Sequence, residues 1–200
     1  VQHMDMNGNS ELAVPQNTLG AELRQLENKQ WEQITLPHTP FVEPLTVLHQ
    51  WQGICYYKKK ITITPEEEKK HIWIEFEGAM HLADVWINGK HVMQHAGGYT
   101  PFVVDATGLL KTGKENELLV RLDNRNNSLI PPGKPLETLD FCYYGGIYRN
   151  VHLIAKADVH ITHPILDGHP AGAGIFITYP KVSQELSVVD AKTEIKNTSD

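Results

Sequence analysis

Short stretches of alternating apolar and polar residues, separated by turn-forming residues, recur along the middle of this 200-residue chain. The sequence HIWIEFE, for example, places Ile72, Ile74 and Phe76 on one face of an extended strand. Asn88 and Gly89 separate two such stretches and supply the positive φ angles that a two-residue hairpin turn requires. Strands spaced by 8–12 residues with intervening turn signals are typical of a β-sandwich or barrel. The absence of strand–helix alternation argues against a parallel α/β sheet.

The periodic pattern also divides the chain. Residues 1–29 show no clear period and are expected to form an N-terminal arm, with a short helical segment near 21–27. Three strands are predicted after Asp158, and so few strands make a poor independent sheet. A second β domain is therefore expected to start near Asp158 and to be only partly contained in the chain. The predicted strands are 31–37, 54–64, 71–77, 81–87, 90–95, 99–105, 117–123, 147–156, 158–165, 175–179 and 185–196.

Charge and composition exclude several classes of function. The net charge is −6 and the basic residues are scattered, so the chain lacks the basic footprint of a nucleic-acid-binding protein. No run of about 18 apolar residues is present, so no membrane span is predicted. The first ten residues lack the apolar segment of a signal peptide. Cys55 and Cys142 could pair only if the fold brings them together, and two free thiols are the favoured interpretation.

One acidic residue among aromatic residues is the most prominent candidate for chemistry. Asp140 follows a long loop rich in Pro and Asn, residues 123–138, and precedes Phe141, Tyr143 and a pair of glycines. Long loops without secondary structure are uncommon in compact domains and are often functional. Aspartate also braces turns frequently. Spacing alone therefore favours a bracing role for Asp140 over a binding role.

Several motifs together resemble a known family. Residues 36–38 read LPH, residues 83–90 read ADVWINGK, residues 97–102 read GGYTPF and residues 145–151 read GGIYRNV. In this order and spacing they resemble the sugar-binding jelly-roll domain of glycoside hydrolase family 2. Residues 158–200 resemble the first strands of the immunoglobulin-like sandwich that follows it in that family. The resemblance implies an all-β chain: a jelly-roll (galactose-binding-like) β-sandwich over residues 30–157 and a partial immunoglobulin-like β-sandwich over residues 158–200.

The family contains β-galactosidases, β-glucuronidases and β-mannosidases. The resemblance implies retaining glycosidases whose two catalytic glutamates lie in a third domain, a (β/α)₈ barrel. Such a barrel needs about 250 residues, which this chain cannot supply. The implied function is therefore that of a non-catalytic N-terminal portion, inactive alone, that shapes the substrate pocket of a barrel from the same parent chain. No catalytic residue, metal site or cofactor is expected within the chain.

The resemblance also implies a role for Asp140. At the matching position the family has an acid that reaches into the barrel's active site and accepts hydrogen bonds from the glycone sugar. A carboxylate suits this role because its two oxygens can accept from neighbouring hydroxyls. Tyr143 is a second candidate, because its ring offers a flat apolar surface and its phenol a hydrogen bond, although core packing is the commoner role of such a residue. The predicted substrate-binding residues are Asp140 and Tyr143.

Two other functions stay open at this point. Jelly rolls also serve as lectins, so the chain could be a free-standing carbohydrate-binding module. The domain could instead be purely structural, bracing the barrel without touching sugar. His91 and His95 share one face of a strand without a suitable acidic or cysteine partner, so zinc is not predicted. The location is left open, although a bacterial periplasm or exterior suits a sugar-degrading enzyme.

Overall fold

A computed structural model describes residues 2–5, 10–13, 31–41, 50–141, 143–168 and 173–199. Nearly all regular structure in these residues is β, and the two helices are single 3₁₀ turns, Glu67–Lys69 and Leu136–Thr138. No helix within the described ranges is long and apolar enough to cross a membrane. The strands are β1 (Gln2–Asp5), β2 (Ser10–Ala13), β3 (Glu32–Ile34), β4 (Ile54–Ile61), β5 (His71–Phe76), β6 (Leu82–Ile87), β7 (Lys90–Ala96), β8 (Phe102–Asp105), β9 (Asn116–Asp123), β10 (Val151–Lys156), β11 (Val159–Ile161), β12 (Ile175–Val182), β13 (Ser187–Thr193) and β14 (Ile195–Asn197).

Two antiparallel sheets form a sandwich. One has six strands in the order β3-β2-β4-β9-β6-β7, and the other has four in the order β1-β10-β5-β8. Alternate residues of each sheet face a common core, to which β5 contributes Ile74 and Phe76 and β6 contributes Val85. Phe76 stacks on Phe102 of β8 with ring centroids 4.6 Å apart. The prediction of an all-β sandwich is confirmed, and the period-2 pattern correctly identifies the inward-facing residues of β5.

The predicted hairpin between β6 and β7 is also confirmed. Asn88 and Gly89 have φ angles of 51° and 77°, as a type I′ turn requires. The Asn88 side chain adds tertiary contacts: its Nδ2 donates to Asn116 Oδ1 at 3.0 Å, and its Oδ1 accepts from the Glu117 amide at 2.9 Å. The turn therefore ties the hairpin to the start of β9.

The expectation of an N-terminal arm is wrong for the described part of residues 1–29. Strand β1 pairs with β10 in the four-stranded sheet, and β2 lies between β3 and β4 in the six-stranded sheet. Four-residue strands are too short to show a convincing alternation of apolar and polar residues, because two repeats of the pattern also occur by chance in a segment of mixed composition. The helical segment expected near residues 21–27 lies outside the described residues.

Beyond β10 the chain forms two separate two-stranded ribbons. Strand β11 pairs with β14, and β12 pairs with β13. The single strand expected over residues 185–196 is two strands, because Glu194 leaves the ladder: its amide donates to the Gly174 carbonyl and its carbonyl accepts from the Thr162 amide. Every residue of β12 and β13 is exposed. An isolated two-stranded ribbon is only marginally stable in water.

Only one of the two cysteines lies among the described residues. Cys55 is a free thiol buried in the sandwich core. Burial raises the pKa of this thiol far above its ordinary value, so it stays protonated. Cys142 lies outside the described residues.

Truncation of Phe76, which stacks on Phe102 in the core, should strongly destabilise the sandwich. Phe76 is fully buried, so Phe76→Ala removes a whole ring and leaves a cavity, at a cost of about 3–5 kcal/mol. Leu129 is 91% exposed, and Leu129→Ala is the control, with an expected change below about 0.5 kcal/mol. Urea unfolding of both variants measures the difference. Equal stability of the two variants would contradict this placement of the core.

Candidate functional site

The segment that carries Asp140 is attached to the sandwich at both ends. At its start the Leu136 amide donates to Asn126 Oδ1 at 3.0 Å. At its end the Tyr143 hydroxyl is hydrogen-bonded to His81 Nδ1. Leu136 and Leu139 are buried against Met80 and Tyr143 in a small apolar cluster, which further fixes the segment. Asp140 therefore lies on a constrained loop.

Asp140 itself is exposed. Within the described ranges it has no hydrogen bond and no ion pair, so a bracing role has no contact to support it there. The neighbouring Phe141 is also exposed, with 42% of its surface accessible. An exposed carboxylate and an exposed aromatic ring thus follow each other along the chain, and both kinds of group suit a polyhydroxylated ligand.

Tyr143 is placed differently from Asp140. Only 4% of its surface is exposed, and its ring packs edge-on against the His81 ring at a centroid distance of 5.6 Å. Burial raises the pKa of the phenol, so the hydroxyl stays neutral and available for its hydrogen bond to His81. The buried Tyr143 ring thus fixes the position of the Asp140 loop. Direct contact between Tyr143 and a sugar stays a prediction.

The glycine pair after Tyr143 allows a close approach of backbone segments. Gly146 has a φ of +99°, and a Cβ on this residue would lie 2.6 Å from both the His38 carbonyl oxygen and the Tyr57 hydroxyl. The Met80 amide donates to the Gly146 carbonyl at 2.9 Å. The His38 amide donates to the Ile147 carbonyl at 2.7 Å. Two of the recognised sequence motifs, LPH and GGIYRNV, therefore meet at Gly146.

An open polar depression adjoins this segment. Its volume is about 570 Å³. His81, which holds the Tyr143 hydroxyl, and Asn126, which holds the Leu136 amide, both belong to its wall. From the sequence, the amides of residues 124–127 could contact a ligand but are more often expected to satisfy backbone groups, and Asn127 does accept from the Leu129 amide at 2.9 Å. The spatial grouping has no sequence signal, because its members come from three separate segments. They are Gln52, His81, Leu82, Asp123, Arg125, Asn126 and Asn127.

Asp123 is the electrostatic centre of the depression. Arg125 donates to its carboxylate from Nε at 2.9 Å and from Nη2 at 2.6 Å, and Arg121 donates from Nη2 at 3.2 Å. Burial is the largest single influence and disfavours the charged carboxylate, but the hydrogen bonds from Arg125 and the positive charges of Arg125 and Arg121 together hold the Asp123 pKa below its ordinary value. Burial also lowers the pKa of His81, despite the opposing charge of Asp123, so this imidazole is neutral at pH 7.

Potential metal ligands are not clustered in the described part of the chain. No group of three or more His, Cys, Asp or Glu side chains is arranged there to hold a metal ion. The predicted histidine pair on β7 is used otherwise: His91 Nε2 lies 3.1 Å from Asp84 Oδ1, and the His95 ring stacks on Phe102. The candidate site thus presents an exposed acid, side-chain amides and a guanidinium.

Comparison with known proteins identifies the class. A family model described as glycosyl hydrolases family 2, sugar binding domain, matches residues 4–157. A β-glucuronidase from Formosa agariphila is 33% identical over 180 residues, which cover 84% of this chain and 18% of that protein. A β-galactosidase from Thermoanaerobacter pseudethanolicus is 32% identical over 192 residues, which cover 93% of this chain and 26% of that protein. The crystal structure of a Bacteroides uniformis β-glucuronidase matches 99% of this chain and 22% of its own, with a TM-score of 0.76 and 28% identity.

The chain therefore belongs to glycoside hydrolase family 2, and residues 4–157 form its sugar-binding domain. The predicted resemblance is confirmed, and the match includes β2 and the last two residues of β1, Met4 and Asp5, which supports the place of both strands in the sandwich. The chain spans only about a fifth to a quarter of the length of these curated relatives.

Substitution of Gly146 should be far more costly than that of a glycine in an open turn. Gly146→Ala combines an unfavourable φ with the two contacts at 2.6 Å, and overpacking of this kind costs about 1–3 kcal/mol. Gly89→Ala is the matched control, because Gly89 also has a positive φ but no atom within 4 Å of its Cβ position. Denaturant unfolding of both variants isolates the cost of the close approach. Equal destabilisation would contradict it.

Stability should fall as the solution becomes mildly acidic. Desolvation lowers the pKa of four histidines, so the unfolded chain binds protons more readily than the folded chain as pH falls below about 6.5. Stability is therefore fully present above that pH and is lost progressively below it. The affected residues are His38, His81, His95 and His163.

Melting temperatures measured between pH 7.5 and 5 at constant ionic strength test this dependence. A decrease of at least roughly 2 °C is expected, since a loss of 1 kcal/mol shifts the midpoint by about 2–4 °C in a chain of this size. A further loss is expected near pH 4, where the lowered pKa of Asp123 adds a second proton-linked term. A melting temperature that is constant or rises from pH 7.5 to 5 would show that these histidines are not buried as described.

Proposed function

We propose that this chain is the N-terminal, non-catalytic portion of a β-glycosidase of the β-glucuronidase or β-galactosidase type. In this proposal the jelly roll forms one wall of the substrate pocket of a catalytic barrel that belongs to the same parent chain. The names of the relatives support this class of activity, and the exposed carboxylate of Asp140 is the observation that carries the role of the domain. The domain boundary near residue 158 is part of the same proposal.

Asp140 has the properties that a residue reaching into another domain needs. Its segment is held by Asn126 at one end and His81 at the other, so the carboxylate does not have to be ordered when substrate binds. Both of its oxygens are available as acceptors for sugar hydroxyls, because no described residue uses them. A purely structural domain gives no reason to keep a free acid on so constrained a loop.

Exposed aromatic side chains beside the same segment support contact with a further domain. Phe41 packs on Trp51 at a centroid distance of 5.3 Å, and Trp51 borders Gly145. Phe41 and Phe141 are each more than 40% exposed. Apolar rings grouped near a polar site commonly mark an interface, and the catalytic barrel is the partner proposed here.

The polar depression also supports a second candidate function, that of a free-standing carbohydrate-binding module. Calorimetric titration of the chain with galactose, glucuronic acid and mannose distinguishes the two. Binding tighter than about millimolar, near 4 kcal/mol, supports the module. No binding supports a site that is completed only by the barrel.

Loss of the Asp140 carboxylate should impair the intact enzyme. Asp140→Ala is expected to lower kcat/KM on a single-sugar aryl β-glycoside at least tenfold, about 1.4 kcal/mol of transition-state stabilisation, because the acceptor for the glycone hydroxyls is removed. Glu137→Ala is the control, since Glu137 is an exposed acid three residues earlier on the same loop. Steady-state kinetics measure both variants. An unchanged value for Asp140→Ala would rule out the proposed contact.

A further inference from the structure

The polar depression contains hydrogen-bonding groups that the fold does not use. Asn126 Oδ1 accepts from Gln52 Nε2 at 2.7 Å and from the Leu136 amide, which leaves the Asn126 amide nitrogen without a partner among the described residues. Asn127 Oδ1 accepts from the Leu129 amide, and the side-chain nitrogen of Asn127 also has no partner among the described residues. Arg125 uses Nε and Nη2 on Asp123, so its Nη1 is also available. These groups border one open space and are held in place by the bonds they already make.

The charge of the depression favours a neutral ligand. The Arg121 guanidinium lies between Asp84, 3.3 Å from its Nη1, and Asp123, 3.2 Å from its Nη2, and Arg125 lies on the other side of Asp123. Two cations thus balance two anions. The remaining wall residues are uncharged amides, a leucine and the neutral His81. The depression has no excess positive charge to attract a phosphate or carboxylate. Its amide and guanidinium groups can instead form hydrogen bonds with the hydroxyl groups of a neutral ligand.

The size and place of the depression suit a sugar adjacent to the one at Asp140. Its volume of about 570 Å³ lies within the range of small-molecule sites, about 300–1,000 Å³. Asp140 is four residues from Leu136, which is bonded to the wall, and extended chain spans at most about 14 Å over that length. On the other side Tyr143, which is bonded to His81, is only three positions further along the chain. A short chain of linked sugars can therefore reach from Asp140 into the depression.

We propose that the depression bordered by Gln52, Arg125 and Asn127 binds a neutral sugar unit of the substrate, adjacent to the unit that Asp140 contacts. The enzyme then acts on an oligosaccharide in preference to a glycoside of one sugar. This inference rests on the proposed function, since it takes Asp140 as a substrate contact.

Two variants test the proposal in the intact enzyme. Arg125→Ala removes the free guanidinium nitrogen, while Asp123 keeps its bond from Arg121 and so stays paired. Asn127→Asp is nearly isosteric and keeps the oxygen that accepts from Leu129, but it replaces the free amide nitrogen with an oxygen. Lys60→Ala is the control, because it also breaks an ion pair at an exposed site, 2.8 Å from Glu115 at the far end of β4.

Three substrates are compared by kcat/KM. They are an aryl β-glycoside of one sugar, the same aryl glycoside extended by a neutral hexose at its non-reducing end, and a disaccharide in which the terminal sugar is β-linked to a neutral hexose. Both site variants are expected to lose at least fivefold on one of the two extended substrates and less than twofold on the single-sugar glycoside. The substrate that is affected shows on which side of the cleaved bond the depression lies.

Equal losses on all three substrates, or no loss on any, would overturn the proposal, as would the same selective loss in Lys60→Ala. The outcome is separable from that of Asp140→Ala, which is measured on the single-sugar glycoside. A selective effect of Arg125→Ala together with an inert Asp140→Ala would remove the proposed role of Asp140 and leave a sugar site in the depression. An impaired Asp140→Ala with inert depression variants would do the reverse.

Discussion

The approach of Gly146 to the His38 carbonyl and the Tyr57 hydroxyl is the contact on which the candidate site depends. No side chain larger than hydrogen fits there, and the φ of +99° is one that only glycine adopts without strain. Because the backbone passes through this gap, it turns sharply between the Asp140 loop and β10. The loop therefore emerges at a fixed position, with Met80 and His38 bonded to the residues of the turn.

Beneath the loop, burial and hydrogen bonding act together. His81 and Tyr143 are both held neutral by desolvation, and their mutual hydrogen bond satisfies polar atoms that would be costly to bury alone. Asp123, in contrast, is charged, because the guanidinium groups of Arg121 and Arg125 stabilise its ionised carboxylate. The uncharged pair supports Asp140 from below, and the charged cluster organises the depression at its side. One short region of the sandwich thus combines a rigid support with a polar surface.

Much of this arrangement can be predicted from the sequence where local rules dominate. The alternation in HIWIEFE identifies β5 and its core face, and Asn88-Gly89 identifies the hairpin, because both depend on neighbouring residues only. The motif around Asp140 likewise points to the loop that proves exposed. Strand β1 escapes detection, since a four-residue strand gains its stability from pairing with β10 and carries little period of its own. The depression escapes for a related reason: Gln52, His81 and Arg125 come together only through the sheet register.

The proposed role of Asp140 is to accept hydrogen bonds from substrate in a pocket completed by the catalytic barrel. A crystal structure of the intact enzyme with an unhydrolysed glycoside or a covalent glycosyl inhibitor tests it most directly. We expect the Asp140 carboxylate oxygens to lie about 2.5–3.0 Å from hydroxyl oxygens of the bound sugar. A bound sugar in the barrel with the Asp140 carboxylate beyond hydrogen-bonding reach, directly or through one water, would contradict it.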